Sequence, residues 1–170
     1  MSTQKSPPPL IIGSNTFVDI LSIRNVPAKI DTGADSFAIC ASDIKITRDH
    51  ILKFKLFTPN SPYYIGKVIK CRNFKVGKYT SSNGQFEIRY RATLPIKING
   101  KRLRVLFNLA DRSENKFPIL IGRRTLKHKF IVDVSLSPIK IKKHQLNLND
   151  KLQKNPRQFY LKHKRGKIIL

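Results

Sequence analysis

Residues 28–36 read Ala-Lys-Ile-Asp-Thr-Gly-Ala-Asp-Ser, a short apolar run that leads directly into a carboxylate, a hydroxyl and a glycine. This order predicts a β-strand that ends near Asp31 and is followed by a tight turn. Gly33 permits a close approach of the backbone, and the Thr32 hydroxyl can bond to neighbouring backbone groups. Because Asp, Thr and Gly also fill ordinary turns, the tripeptide alone leaves an ordinary turn open as the alternative.

A second stretch, residues 117–126, reads Phe-Pro-Ile-Leu-Ile-Gly-Arg-Arg-Thr-Leu. It predicts an apolar strand that reaches Gly122 and a short helix that begins with basic residues. The sequence between the two stretches is rich in β-branched and aromatic runs bounded by turn residues, which is typical of an all-β domain.

Together these stretches resemble the retropepsins, half-size aspartic peptidases with an Asp-Thr-Gly-Ala loop and a later apolar-apolar-Gly-Arg segment that packs under it. The chain is still more similar to the RimB-like family, whose members are labelled ATP-dependent zinc proteases and occur beside an ATP-grasp glutamate ligase. The matching segments are residues 27–35, 82–84, 109–112, 118–123 and 131–133. This resemblance implies an all-β, retropepsin-like half-barrel with one short C-terminal helix, active as a homodimer.

The resemblance also implies roles for individual residues. Asp31 would be the catalytic acid. The rest of the active-site loop would consist of Thr32, Gly33 and Ala34. Gly122 and Arg123 would support the loop and the dimer, and Asp35 is a candidate ion-pair partner for Arg123.

The single Asp-Thr-Gly has a consequence for the active unit. Aspartic peptidases use two carboxylates that share one proton, since two such groups at close range cannot both ionise. A chain of 170 residues suits one domain and has no second half to supply another acid. We therefore predict a two-fold dimer in which Asp31 of each subunit faces its counterpart.

A hairpin is predicted between the two stretches. Residues 74–79 and 87–94 read as strands on either side of a turn that contains an Asn-Gly pair, which favours a hairpin. In retropepsins this interval holds the flap, a mobile hairpin that closes over the substrate. The resemblance assigns to the flap Ser81, Ser82, Asn83 and Gly84. A plain surface hairpin is the alternative, because such hairpins are common in all-β domains.

Three local predictions are independent of the resemblance. Residues 24–27 read Arg-Asn-Val-Pro and predict a turn before a return strand at residues 28–30. Asn99-Gly100 predicts a further hairpin. Asp133 lies in a predicted closing strand without a following Thr-Gly, so we interpret it as a structural carboxylate.

Composition and the resemblance together predict three parts: an N-terminal arm at residues 1–12, a retropepsin-like domain at residues 13–138 and a basic extension at residues 139–170. Residues 140–170 contain ten Lys or Arg and a single acid, Asp150. The extension is either a basic arm for an anionic partner or a solvated tail. In the first case its apolar end, residues 167–170, would add a strand to a dimer interface.

The charge and the resemblance together leave two functions open. The chain carries 34 Lys and Arg against 10 Asp and Glu, a formal net charge of +24, which predicts a polyanionic partner unless the basic surface is merely solvated. The first function is an aspartic endopeptidase for an acidic or polyglutamylated protein, with the glutamate ligase as a possible partner. The second is a nucleic-acid- or ribosome-binding protein on the same scaffold, which uses the basic extension and has little or no catalysis.

No cofactor, metal or membrane partner is expected. The sequence lacks a His-Glu-x-x-His motif and a phosphate-binding Gly-Lys-Ser/Thr loop, and its four histidines have no ligand spacing. No apolar run reaches about 18 residues. Cys40 and Cys71 do not make a disulfide framework, which favours a reducing compartment, so we expect a cytoplasmic protein.

Overall fold

The computed structural model describes residues 8–80, 84, 86–136 and 154–163. The chain divides into two compact units, Met1–Ile139 and Lys140–Leu170. The predicted flap residues Ser81, Ser82 and Asn83 lie outside the described residues, as does the strand predicted for residues 167–170.

The described part of the first unit contains eleven strands and one short helix. These are β1 (Leu10–Ile12), β2 (Asn15–Ile20), β3 (Ile23–Asp31), β4 (Phe37–Ile46), β5 (Leu52–Leu56), β6 (Val68–Cys71), β7 (Phe74–Thr80), β8 (Phe86–Ile98), β9 (Lys101–Ala110), β10 (Ile119–Gly122), α1 (Arg123–Leu126) and β11 (Phe130–Val132). The described part of the second unit holds α2 (Pro156–His163), a helix that the sequence analysis did not predict.

Six strands close into a barrel. Neighbouring strands pair in the order β10-β3-β2-β8-β9-β4, and β4 also pairs with β10, which completes the ring. The strands β5 and β6 extend the sheet beyond β4, β7 adds to β8, and β1 pairs separately with β11. The all-β half-barrel predicted from the sequence is therefore confirmed.

Alternation along the strands fills the barrel core. In β8, Ala92, Leu94, Ile96 and Ile98 are buried while the residues between them are more exposed. Phe107 of β9 is fully buried and meets Phe37 edge to face, with 5.3 Å between ring centroids. A fully buried side chain of this size contributes roughly 1.5–3 kcal/mol to stability, so the core holds the framework on which the loops depend.

The hairpins follow the predicted turn chemistry. Asn99 and Gly100 join β8 to β9 with positive φ angles of 44° and 83°, the geometry that a two-residue hairpin turn requires. The other predicted hairpin is formed by β7 and β8, which pair antiparallel from Phe74↔Ala92 to Thr80↔Phe86. One strand, β8, therefore belongs to both hairpins and to the barrel.

The turn predicted at residues 24–27 is wrong. The chain reverses earlier, at Leu21 and Ser22, and Pro27 lies inside β3 opposite Phe17. The Ile30 amide donates to the Ser14 carbonyl, so alternate amides of β3 point towards β2 and the position of Pro27 points away from it. On that other side β10 pairs only from Ala28 onward, so the missing proline donor breaks no ladder bond.

Asp133 lies just after β11 rather than inside a strand. Its Oδ1 accepts hydrogen bonds from the Ser135 amide at 2.9 Å and from the Ser135 hydroxyl at 2.6 Å. These bonds lower the pKa of the Asp133 carboxyl. The carboxylate closes a local turn, as the structural interpretation of this residue requires.

Candidate active site

Asp31 is the last residue of β3, and a loop of residues 31–36, here called the acid loop, follows it. The Asp31 Oδ1 atom accepts hydrogen bonds from the backbone amides of Gly33 and Ala34, both at 3.1 Å. The Ala34 amide also lies 3.3 Å from the Asp31 carbonyl. Because three short contacts tie the loop to its own first residue, the carboxylate has a defined orientation at the end of the strand.

The strand β10 holds the acid loop at both ends. It lies between β3 and β4, parallel to the first and antiparallel to the second. Its last residue, Gly122, pairs with Asp31, and the next amide, that of Arg123, donates to the Ala34 carbonyl at 2.8 Å. The acid loop bridges β3 and β4, so a strand between those two fixes where the loop begins and ends.

Gly122 is required here by close approach. A Cβ atom at this position would lie 2.5 Å from the Ser36 carbonyl oxygen, 2.7 Å from the Ala34 carbonyl oxygen and 2.8 Å from the Ser36 amide nitrogen. All three are backbone atoms, so no side-chain rotation can relieve the clash. The backbone of Gly122 itself is extended, with φ −86° and ψ 170°, so the requirement is steric and not conformational.

Arg123 forms the ion pair suggested from the sequence. Its Nη2 atom lies 2.5 Å from Asp35 Oδ1, and Arg124 approaches the other carboxylate oxygen at 3.9 Å. The Arg123 and Asp35 side chains are 62% and 50% exposed, so the pair contributes little to the stability of the single chain. These residues line an open groove of about 640 Å³, whose lining also includes Thr32, Leu126 and Phe130.

The hairpin of β7 and β8 has two different faces. One face carries Arg89 and Arg91 of β8 with Tyr79 of β7, and the Arg89 guanidinium carbon lies 3.8 Å from the Tyr79 ring centroid. The opposite face carries apolar side chains that are largely exposed, Ile88 and Val76 among them. Of the four residues predicted to form a flap tip, the structure describes Gly84, which has a positive φ of 81°.

Sequence reasoning gave no role to Asn108, which supports the acid loop from below. Its side-chain amide donates to Ser36 Oγ and to the Phe37 carbonyl, both at 2.8 Å, and the residue is 1% exposed. The sequence did contain one signal: Asn108 is a polar residue within the apolar second half of β9. A buried side-chain amide needs hydrogen-bond partners, so such a residue indicates a specific contact. Its Oδ1 atom has no hydrogen-bond partner within the described residues.

Arg112 lies in one of the segments that resemble the family, but the sequence analysis assigned no role to it. It follows β9, its Nε and Nη2 atoms donate to the Phe117 carbonyl at 3.4 and 3.2 Å, and its side chain is partly buried. Burial lowers the pKa of Arg112 below the usual arginine value, whereas the nearby Asp31 carboxylate acts to raise it. A partly buried guanidinium therefore lies within electrostatic range of the candidate catalytic acid.

Two further observations concern metals and membranes. Within residues 8–80, 84, 86–136 and 154–163, no three His, Cys, Asp or Glu side chains come together in a way that could hold a metal ion. In the same part of the chain, neither helix has the length and apolar character needed to cross a membrane.

Curated relatives match one segment of longer proteins. The chain is 31% identical over 137 residues to a Shewanella halifaxensis protein and 27% identical over 132 residues to a Desulfotalea psychrophila protein, each named a probable alpha-L-glutamate ligase. The alignments cover 75% and 74% of this chain but 29% and 28% of those proteins. The chain thus spans less than a third of the length of the curated relatives it matches.

The structure has a solved counterpart. It is similar to the crystal structure of a protein of unknown function from Legionella pneumophila, with a TM-score of 0.59 and 25% sequence identity, over 76% of this chain and 97% of that one. In sequence, residues 11–143 match the RimB-like family, described as the retropepsin-like aspartic endopeptidase RimB. Because that match spans well over half of the 170 residues, the chain belongs to the RimB-like family of retropepsin-like aspartic endopeptidases.

Proposed function

We propose that this protein is an aspartic endopeptidase whose active unit is a homodimer, with Asp31 of each subunit in one catalytic dyad. The observation that carries the proposal is the orientation of Asp31, which ends a strand and is tied to the amides of Gly33 and Ala34. One chain supplies one such carboxylate, and a two-fold axis beside the acid loop would supply the second.

In such a dyad the two carboxylates share one proton. The ionised member takes a proton from a water molecule, which attacks the scissile carbonyl, while the protonated member donates to the carbonyl oxygen. Proton transfer to the leaving amine then allows the C–N bond to break, and no covalent enzyme intermediate forms. Under this mechanism the acid loop must hold both Asp31 side chains at close range, and the contacts that Gly122, Arg123 and Asn108 make with the loop support the proposal.

An acidic protein is the substrate class that we favour. The net charge of +24 concentrates a polyanionic substrate near the chain. The curated relatives are named glutamate ligases, and this chain matches only a segment of them. We propose that the protein cleaves a glutamate-tailed substrate and works with a glutamate ligase as a partner.

Mixing active and inactive subunits tests the shared dyad. Asp31→Asn should abolish hydrolysis of a glutamate-tailed peptide and leave the circular dichroism spectrum and the assembly unchanged. When wild type and Asp31→Asn are refolded together in equal amounts, a dyad built from two subunits should leave about a quarter of the wild-type activity, because only wild-type pairs are intact.

Asp133→Asn is the matched control, because it removes one carboxylate elsewhere in the same chain. Its mixtures should retain nearly full activity at every ratio. Loss of activity in simple proportion to the Asp31→Asn fraction, or peptide cleavage by Asp31→Asn alone, would contradict the shared dyad.

The second candidate function is nucleic-acid or ribosome binding, favoured by the excess of positive charge and by Arg157 and Tyr160 on α2. A complex with RNA should weaken steeply with salt, since bound cations are released from the phosphates. Tight RNA binding by wild type and Asp31→Asn, with no peptide cleavage by wild type, would favour this function over hydrolysis.

A further inference from the structure

Arg89 and Arg91 lie on one face of β8, and Arg112, which follows β9, is within electrostatic range of Arg89; we call these three residues the arginine cluster. Arg91 pairs across the sheet with Asn108, one residue along from the pair of Ala92 and Phe107 that lies in the barrel core. Because side chains alternate along a strand, Arg89 and Arg91 point away from that core.

The cluster is largely withdrawn from solvent. The Arg89 side chain is 16% exposed, pairs through Nε with Glu87 and covers the Tyr79 ring. The Arg91 guanidinium lies against the backbone of Gly77, where a Cβ atom would come within 2.7 Å of it. The Arg91 Nε atom is buried and has no hydrogen-bond partner in the part of the chain that the structure describes.

The cluster adjoins the acid loop through two connections. Asn108, the cross-strand neighbour of Arg91, donates to the Ser36 hydroxyl at the end of that loop. Arg112 is within electrostatic range of Asp31 and of Arg89, and its own bonds reach only the Phe117 carbonyl among the contacts described. Of the three guanidinium groups, that of Arg112 is within electrostatic range of the candidate catalytic acid, and Arg91 lies across the sheet from the residue that bonds to the acid loop.

Among the contacts described for this cluster, positive charge exceeds negative charge. The three guanidinium groups have one ion-paired carboxylate, that of Glu87, and Arg112 also lies within electrostatic range of Asp31. A partly buried cation without an anion is costly, and an arginine fork matches a carboxylate well. The region is thus complementary to an incoming anion.

We propose that the arginine cluster is a subsite for the carboxylate side chain of a glutamate residue adjacent to the scissile bond, with Arg112 as the specificity-determining residue. This inference rests on the proposed function and names the part of the same site that selects the substrate. An extended peptide directs its side chains alternately to either side, so one glutamate enters the cluster while the main chain passes Asp31.

A peptide suits the cluster better than a nucleic acid does. Single-stranded nucleic acid is held by stacking of its bases on exposed aromatic rings as well as by phosphate contacts. Tyr79, the ring within this cluster, is already covered by Arg89. The subsite therefore offers guanidinium donors without a free stacking surface.

The test compares two peptides that differ only in a Glu or Gln beside the cleavage site. We expect wild type to prefer the Glu peptide in kcat/KM by about 10- to 100-fold, the range of a charge-assisted hydrogen bond. Arg112→Gln should reduce this ratio to near one, and Arg112→Lys should restore part of it, because lysine keeps the charge without the fork. Arg102→Gln, which removes an exposed charge about 20 Å along β9 from Asn108, should keep the wild-type ratio.

Peptide binding separates this inference from the proposed function. In the Asp31→Asn background, fluorescence anisotropy should show the same preference for the Glu peptide and the same loss with Arg112→Gln, whether or not wild type hydrolyses either peptide. If wild type cleaves neither peptide but this binding pattern holds, the hydrolytic proposal fails and the subsite stands. If the Glu to Gln ratio is equal in Arg112→Gln, Arg102→Gln and wild type, or if RNA displaces the peptide from wild type and from Arg112→Gln alike, the subsite is wrong.

Discussion

Replacing Gly122 with alanine tests whether the close approach of Gly122 to the backbone of Ala34 and Ser36 holds the acid loop in place. Ordinary contacts of a Cβ atom begin near 3.4 Å, and the new atom would lie at 2.5 Å from the Ser36 carbonyl oxygen and 2.7 Å from the Ala34 carbonyl oxygen. Since β10 is paired on both sides, the strand cannot retreat, and the loop must move by roughly 1 Å.

The cost follows from two contributions. Overpacking of this kind costs about 1–3 kcal/mol, and loss of the bond from the Arg123 amide to the Ala34 carbonyl adds about 1 kcal/mol. We expect the free energy of unfolding to fall by about 2–4 kcal/mol in Gly122→Ala. Under the proposed function, a loop displaced by about 1 Å should also lower kcat/KM by roughly 100-fold, because the proposed dyad would tolerate little misplacement.

Urea unfolding followed by circular dichroism measures the stability, and hydrogen exchange at the Ala34 and Arg123 amides reports on the loop directly. Gly100→Ala is the matched control: it meets no atom within 4 Å but has a positive φ of 83°. That control should lose about 1–2 kcal/mol from backbone strain and keep wild-type exchange in the acid loop. A Gly122→Ala loss below 1 kcal/mol with unchanged amide exchange would refute the steric argument.

Two further predictions concern charges. A double-mutant cycle of Asp35→Asn with Arg123→Gln should give a coupling of at most about 1 kcal/mol that shrinks in 0.5 M salt, because both side chains are half exposed or more; a coupling above about 2 kcal/mol would contradict that exposure. The pKa of Asp19 is lowered from 3.8 by hydrogen bonds from the Asn25 amide and the Arg24 guanidinium, so its stabilising effect is present above about pH 4 and lost as the pH falls through the folded-state pKa. Urea titrations should show Asp19→Asn less stable than wild type at pH 6 and equally stable near pH 2; an equal deficit at both would contradict this assignment.

The features that the sequence predicted best are those with local causes. Alternation predicted the strands that flank Asn99-Gly100, and that dipeptide predicted the hairpin turn because its two positive φ angles suit few other residues. The acid loop was also predictable, since Asp31 bonds to amides only two and three residues ahead of it. The catalytic role of Asp31 and the dimer remain predictions.

The features that the sequence did not predict depend on distant partners. Pro27 was interpreted as a turn residue because a proline usually ends a strand, yet its missing donor points to the side where β10 pairs only from Ala28. Asn108 and Arg91 gained a role only when β8 and β9 placed them side by side. These contacts join residues that are far apart in sequence, and the local sequence marks them only through Asn108, a polar residue in an apolar run.

The length of β8 links the barrel to the hairpin mechanically. From Ala92, where the strand leaves the packed barrel, to Phe86 is six residues, or about 20 Å of continuous strand. If this segment of β8 tilted by about 10° about Ala92, Phe86 would be displaced by about 3 Å, which is the length of a hydrogen bond. Arg91 is still paired with Asn108 of β9, whereas Arg89 lies beyond that pair, so the packing around Ala92 determines how firmly the Arg89 guanidinium is positioned.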